Sequence, residues 1–434
     1  MIRLASSDQQ SVIEHAIALL DLVFEGHDSP PVSVRLWEGT LWPDGERRPA
    51  TLILKSPGAL RGMFGSISEK RLAEAFIADR FDVSGDLEAA CSMADLLADL
   101  ADSNLAKRIR LMAHLRRLPA DPGEFAGRGA SVSRFGRRHS RERDRQSVRF
   151  HYDLSNEFFQ LWLDPRMVYS CAYFGQRDGD LERAQEAKLD LLCRKLRLKA
   201  GDRVLDVGCG WGGFAVYAAR HYGVEVTGVT LSGRQADWAS ERVVGAGLAG
   251  RVRIEPVDYR ELKPDHPFDA VVSVGMAEHV GRERLGEYFR TLRDFLRPGG
   301  VLLNHAIGEG GRPRRATCPS FIDSYVFPDG DIPPLPVVLG SAEEAGLEIR
   351  DVENLREHYG LTLRHWVRRL EAAHAQALRH VDESTYRIWR LYMAASAYAF
   401  DRGYLSVYQT LLSRPDPDGR SGLPLRRDDW YGRD

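Results

Sequence analysis

The sequence predicts an α/β fold: a mostly parallel sheet flanked by helices, with a smaller α+β domain ahead of it. Three observations carry this. Short apolar runs alternate with helix-length segments from residue 202 to 304. A glycine-rich turn follows the first of those runs directly. A Gly-, Ser- and Arg-rich stretch at 116–145 interrupts the apolar periodicity and divides the chain. Strands separated by helices must cross over to pair in parallel, which builds βαβ units.

The elements follow in order. Residues 1–115 combine strand-like Val32–Trp37 and Thr51–Leu54 with helical stretches around Glu69–Phe81 and Ala90–Leu100, as a small α+β domain would. Residues 116–145 read as a linker. From 146 to 414, Asp202–Val207 reads as a buried strand, Gly213–His221 as a helix, Glu225–Thr230 as a strand and Arg234–Val244 as a helix. Arg251–Glu255, Phe268–Ser273 and Gly300–Asn304 continue the strands. Residues 415–434, with Pro415, Pro417, Gly419 and Gly422, read as a loose tail.

A chain of 434 residues exceeds one average domain, and 43% hydrophobic with 28% charged residues suits a folded protein. A formal charge of −2 speaks against a generally nucleic-acid-coating protein. No apolar run approaches a membrane span, and the first fifteen residues lack a secretory core. The cysteines at 91, 171, 193, 209 and 318 show no paired metal-ligand spacing, so no metal site is expected, and they suit a reducing cytoplasm.

The strongest motif is Val204-Leu-Asp-Val-Gly-Cys-Gly-Trp-Gly-Gly213. Its glycines let the backbone turn sharply and approach a ligand closely, at the place where open α/β sheets bind nucleotides. No Gly-Lys-Ser/Thr follows, so it is not a phosphate loop, and the dinucleotide spacing G-x-G-x-x-G is not met. Asp206 stands inside the motif, where it can face a polar or cationic ligand.

This motif resembles the S-adenosylmethionine loop of class I methyltransferases. Its flanks resemble the cyclopropane-fatty-acyl-phospholipid synthase family, which includes the mycolic acid cyclopropane synthases: Phe150–Phe159, Tyr169–Phe174, Gly228–Ser232 with Gln235, Gly275–Gly281 and His305–Gly308. The resemblance implies a Rossmann-like sheet and S-adenosylmethionine as cofactor. It implies that Tyr169 and Ser170 hold the methionine end, that Gly208 and Gly210 line it, that Thr230 and Gln235 reach the ribose, and that Asp258 and Tyr259 border the adenine. The N-terminal part resembles the extra domain of phospholipid-acting members, and the resemblance implies a homodimer.

The activity so implied is methylation of the cis double bond of an unsaturated phospholipid acyl chain, closing a cyclopropane. A double bond is a poor nucleophile, so the methyl donor must sit against it in a dry pocket. Ring closure then needs a base. The resemblance supplies bicarbonate, hydrogen-bonded by Glu278, His305 and the Tyr359 hydroxyl, with backbone amides of Cys171 and Ile307 completing the cradle. A thiolate has no place in alkene methylation, so Cys171 is read as a pocket wall. Ala277 stands where a larger apolar residue is expected, which leaves a methyl- or methylene-branched product open. A non-catalytic lipid-binding module is the contrasting alternative.

Aromatic residues at 321, 325, 327, 392, 398, 400, 404 and 408 either line an acyl tunnel or fill a core. Seven arginines between Ser133 and Arg149 would attract an anionic membrane surface from the cytoplasmic side. No aromatic platform is interleaved with them, so nucleic acid is not expected.

Overall fold

The structure is a computed structural model. It describes residues 7–26, 30–43, 48–120, 143, 154–312, 321–327 and 330–431. The chain forms two compact units. One gathers Met1–Ser133, Arg314–Pro328 and Val381–Tyr398; the other gathers Arg134–Pro313, Asp329–His380 and Ala399–Asp434. This division differs from the sequential one expected at 115 and 146, because two late segments pack with the N-terminal part. Arg387, only 6% exposed, shows why: its guanidinium donates to the Phe76 carbonyl at 3.0 Å and pairs with Asp79 at 2.8 Å. Composition along a chain does not reveal such distant partners.

In the first unit, β1 (Val32–Arg35), β2 (Leu41–Trp42), β3 (Ala50–Leu54) and β4 (Phe81–Gly85) form a sheet in the order β2-β1-β3-β4. β1 and β3 are parallel and the other pairs antiparallel. Ala50, Leu52 and Leu54 alternate inward along β3, as a period of two demands. The helix expected to reach Phe81 ends at Ile77. Asp79 turns with φ +55°, and Phe81 and Val83 then point into the core from β4. Most of the arginine-rich stretch falls outside the described residues.

The second unit holds β5 (Arg203–Val207), β6 (Glu225–Val229), β7 (Val252–Glu255), β8 (Phe268–Val274), β9 (Leu296–Glu309), β10 (Glu348–Asn354) and β11 (Leu405–Ser413). Their order is β10-β11-β9-β8-β5-β6-β7. The pairs from β7 through β9 are parallel, and β11 runs against both of its neighbours. Adjacent residues enter different cores: Val204, Val272, Leu303 and Leu411 on one face, Leu205, Val271, Leu302 and Leu412 on the other. A sheet buried on both faces reads in sequence as continuous apolar runs. Chain order reverses beside β5, so the crevice for a ligand opens beyond the carboxyl ends of β5 and β8.

The tail is not loose. Trp430 is 2% exposed within the core that contains Leu198 and Val204. Arg197 and Arg427 lie over its ring at 5.8 and 5.1 Å.

Candidate active site

The carboxyl end of β5 runs into the glycine loop. Gly208, Gly210 and Gly212 take φ of +79°, +53° and +76°, values that favour glycine. A Cβ on Gly208 would strike Met276 Cγ at 2.5 Å, whereas one on Gly210 would meet nothing within 4 Å. Gly210 therefore presents bare backbone to open space. Asp206 is 3% exposed, and its Oδ2 has no hydrogen-bond partner. Burial pushes its carboxyl up to about 7, against the pull of Lys188. Trp211 closes the loop from behind, with Nε1 donating to Asn156 at 2.8 Å and its ring 4.9 Å from Phe159.

At the end of β6, the Thr230 hydroxyl donates to Gln235 Oε1 at 2.9 Å, and both residues are buried. Ser232 caps the helix Gly233–Gly245 and aims that glutamine back at the strand end. Asp258 is 2% exposed and binds the Arg260 guanidinium through both oxygens, at 2.9 and 2.7 Å. Tyr259 joins the core, with its ring 5.9 Å from Tyr288. The structure thus gives this pair partners within the protein.

The segment 169–174 is fixed from two sides. From the helix Leu181–Lys195, Gln185 donates to the Ser170 carbonyl at 2.9 Å and Lys188 donates to Ser170 Oγ at 2.8 Å. Lys188 is 1% exposed, and burial pulls its ammonium down to about 8 while Cys171, Asp164 and Asp206 oppose the shift. From the helix Arg356–Ala372, Thr362 Oγ1 accepts from the Ala172 amide at 3.0 Å, and His358 Nδ1 accepts from the Phe174 amide at 3.0 Å. Tyr169 sits among Phe159, Trp162 and Trp366, with centroids 5.2–5.9 Å away. The Cys171 thiol is fully buried, and burial raises its pKa, so little nucleophilic thiolate forms.

Beyond β8, Gly275 turns with φ +70° into the short helix Ala277–Val280. Glu278 Oε1 there accepts from the Ile307 amide at 2.7 Å. The residue as a whole is half-buried, but its Oε2 is shut off from solvent and has no partner. Burial raises the carboxyl to about 7, with the Ile307 hydrogen bond opposing. The amide of Ile307, expected in the ligand cradle, here donates to Glu278. His305 is two residues back from Ile307 on β9, paired with Val274 of β8. It is 2% exposed, and burial first, then Lys188 and Lys195, bring its pKa down to about 3, so the ring is neutral. The amide nitrogen of Gln409 faces Nδ1 at 3.3 Å. The His305 Nε2 is buried and has no partner.

Tyr359 is 8% exposed, 4.7 Å from the Phe400 ring and 6.1 Å from Trp366, which also packs on Tyr169. Of the other aromatics, Phe321, Tyr325, Phe327, Tyr392 and Tyr398 belong to the first unit. Ala277 is buried in the core with Leu285 and Tyr288. Lys188, Gln185, Thr362 and Gln409 went unnoticed in sequence. The available signal was polar residues on helix or strand faces otherwise filled by Leu and Ala.

Residues 139–410 match the family described as mycolic acid cyclopropane synthetase. A probable fatty acid methyltransferase of Pseudomonas putida is 41% identical over 92% of this chain and 96% of its own length. The cyclopropane-fatty-acyl-phospholipid synthase of Escherichia coli K12 is 40% identical over 62% of this chain and 68% of its own. Among solved structures, mycolic acid cyclopropane synthase CmaA1 complexed with SAH and CTAB aligns with a TM-score of 0.58 and 35% identity, covering 62% of this chain and 97% of that one. With its reversed β11 and glycine loop at the carboxyl end of β5, the chain belongs to the mycolic acid cyclopropane synthetase family of class I methyltransferases.

Proposed function

We propose that this chain methylates the cis double bond of an unsaturated phospholipid acyl chain with S-adenosylmethionine, and that bound bicarbonate takes the proton whose loss closes a cyclopropane. The observation that carries this reading is two buried, unpartnered atoms: Glu278 Oε2, two residues after the Met276 that packs on Gly208, and His305 Nε2, on the β9 residue paired with Val274 of β8. The residues fit both small molecules. Asp206 Oδ2 and the open backbone of Gly210 suit a cationic, polar ligand, with Thr230 and Gln235 for its ribose. Glu278, protonated below about pH 7, and a neutral His305 can each donate a hydrogen bond to a small anion. When bound, the cofactor supplies an electrophilic methyl group and the bicarbonate a base.

The protein's own work is positioning and exclusion. Ser170 is held by Lys188 and Gln185, and Tyr169 by Trp162 and Trp366. The aromatic faces around Tyr169 and Tyr359 form a dry wall that attracts positive charge without trapping it covalently. Glu278 keeps its orientation through Ile307, and His305 through Gln409. The substrate would place the protein at an anionic membrane surface.

A second reading keeps cofactor and lipid but yields a methyl- or methylene-branched chain. It is favoured by the name of the Pseudomonas putida relative, a probable fatty acid methyltransferase similar over nearly its whole length. Stripping bicarbonate from the buffer should slow product formation, and adding it back should restore the rate. A rate indifferent to bicarbonate would remove that ion from the proposal.

A further inference from the structure

The helix Leu105–Arg117 of the first unit has two apolar faces, and folding uses only one. Leu111 and Leu115 are buried at 1% and 2% exposure, and His114 Nδ1 lies 3.2 Å from His15 Nδ1 in the helix Ser7–Val23. On the opposite side Leu105, Ile109 and Met112 are 71%, 60% and 42% exposed. With 3.6 residues per turn these three fall within an arc of about 60°. Three apolar side chains aligned in water carry a solvation cost that the fold does not recover.

Charge frames the same strip. The helix contains Lys107, Arg108, Arg110, Arg116 and Arg117 and no acidic residue. Arg116 projects along the apolar strip itself, Arg108 lies to one side, and Arg110 and Arg117 lie to the other, by the same helical angle. Lys107 pairs with Glu25 at 3.4 Å. The four arginines form no ion pair with the described residues. An apolar strip with cations along both borders is the pattern of a helix lying in a lipid headgroup layer, where long basic side chains reach the phosphates.

We propose that this face of Leu105–Arg117 is the docking surface for an anionic phospholipid bilayer. The choice of occupant rests on charge complementarity and on the lipid substrate proposed above. Three apolar side chains enter the headgroup boundary, and four guanidinium groups meet lipid phosphates. Because the opposite face remains packed against the first unit's core, docking needs no unfolding.

Flotation with vesicles of phosphatidylcholine and phosphatidylglycerol, against phosphatidylcholine alone, tests this. The full chain should float with the mixed vesicles, and less so at high salt. Replacing Arg108, Arg110, Arg116 and Arg117 by Gln should weaken partitioning roughly five-fold per charge. Leu105→Ser with Ile109→Ser and Met112→Ser should abolish it, and Ile109→Trp should strengthen it. All these side chains are exposed, so S-adenosylmethionine affinity and turnover of detergent-dispersed lipid should not change. A serine variant that floats like the wild type, or a wild type that does not float, overturns the proposal. So does a serine variant that keeps vesicle binding but loses self-association in sedimentation, which would make the face an interface between copies. If the wild type floats yet modifies no lipid, the dock stands and the proposed function fails.

Discussion

Replacing Glu278 by Gln should make the protein more stable above neutral pH while disabling it. The wild-type carboxyl ordinarily titrates at 4.5 and is raised to about 7 in the fold. Between those values the folded protein holds a proton that the unfolded chain has released, so stability falls as pH rises through the window. The rise corresponds to about 3 kcal/mol against the ionised form. Glutamine keeps the volume and an acceptor for the Ile307 amide but never ionises. The stability difference between variant and wild type should therefore grow by about 2 kcal/mol from pH 5 to pH 8. Asp206, raised to about 7 by the same cause, acts in both proteins and cancels. Denaturant unfolding at the two pH values measures the difference. On unsaturated phospholipid, loss of this acid–base element should cost about 10²–10⁴ in rate. Parallel pH profiles for the two proteins would refute a carboxyl held protonated by burial. Near-normal turnover would refute its role in the chemistry.

Two further substitutions probe the neighbouring groups. Gly210→Val places a branched side chain at φ +53° and fills the loop's open side, so calorimetry should detect no S-adenosylmethionine binding by a protein that is still folded. Cys171→Ala should keep its turnover and lose about 1–2 kcal/mol of stability from the vacated volume; a dead but folded variant would make the thiol catalytic.

The central strands β5, β8 and β9 were legible because a sheet covered on both faces gives nearly continuous apolar runs, whereas the edge strand β7, Val252-Arg-Ile-Glu255, reads as alternation. The glycine loop was legible because a run of left-handed backbone, such as Gly208, Gly210 and Gly212 adopt, favours glycine. Glu278 and His305 came through resemblance, and the structure adds that each has one buried, unpartnered atom. The sequence hid what depends on distant packing. Lys188 and Gln185 look like ordinary polar positions of a helix until Ser170 is seen beneath them. Ile307 offered an amide whose owner, Glu278, lies 29 residues away. Pro and Gly in the tail suggested looseness, yet one tryptophan anchors it.

The central claim is methyl transfer to a lipid double bond, and its most direct test uses the whole chain. The protein is incubated with S-adenosylmethionine deuterated in its methyl group and with vesicles of unsaturated phospholipid, and the chains are then examined by mass spectrometry. Free fatty acid and RNA serve as controls. The account predicts label in the acyl chain at the former double bond, with one deuterium lost and a product that resists mild hydrogenation, as a cyclopropane does. A hydrogenatable labelled chain would select the branched product instead. No label in any lipid, from a protein that binds the cofactor, would contradict the claim.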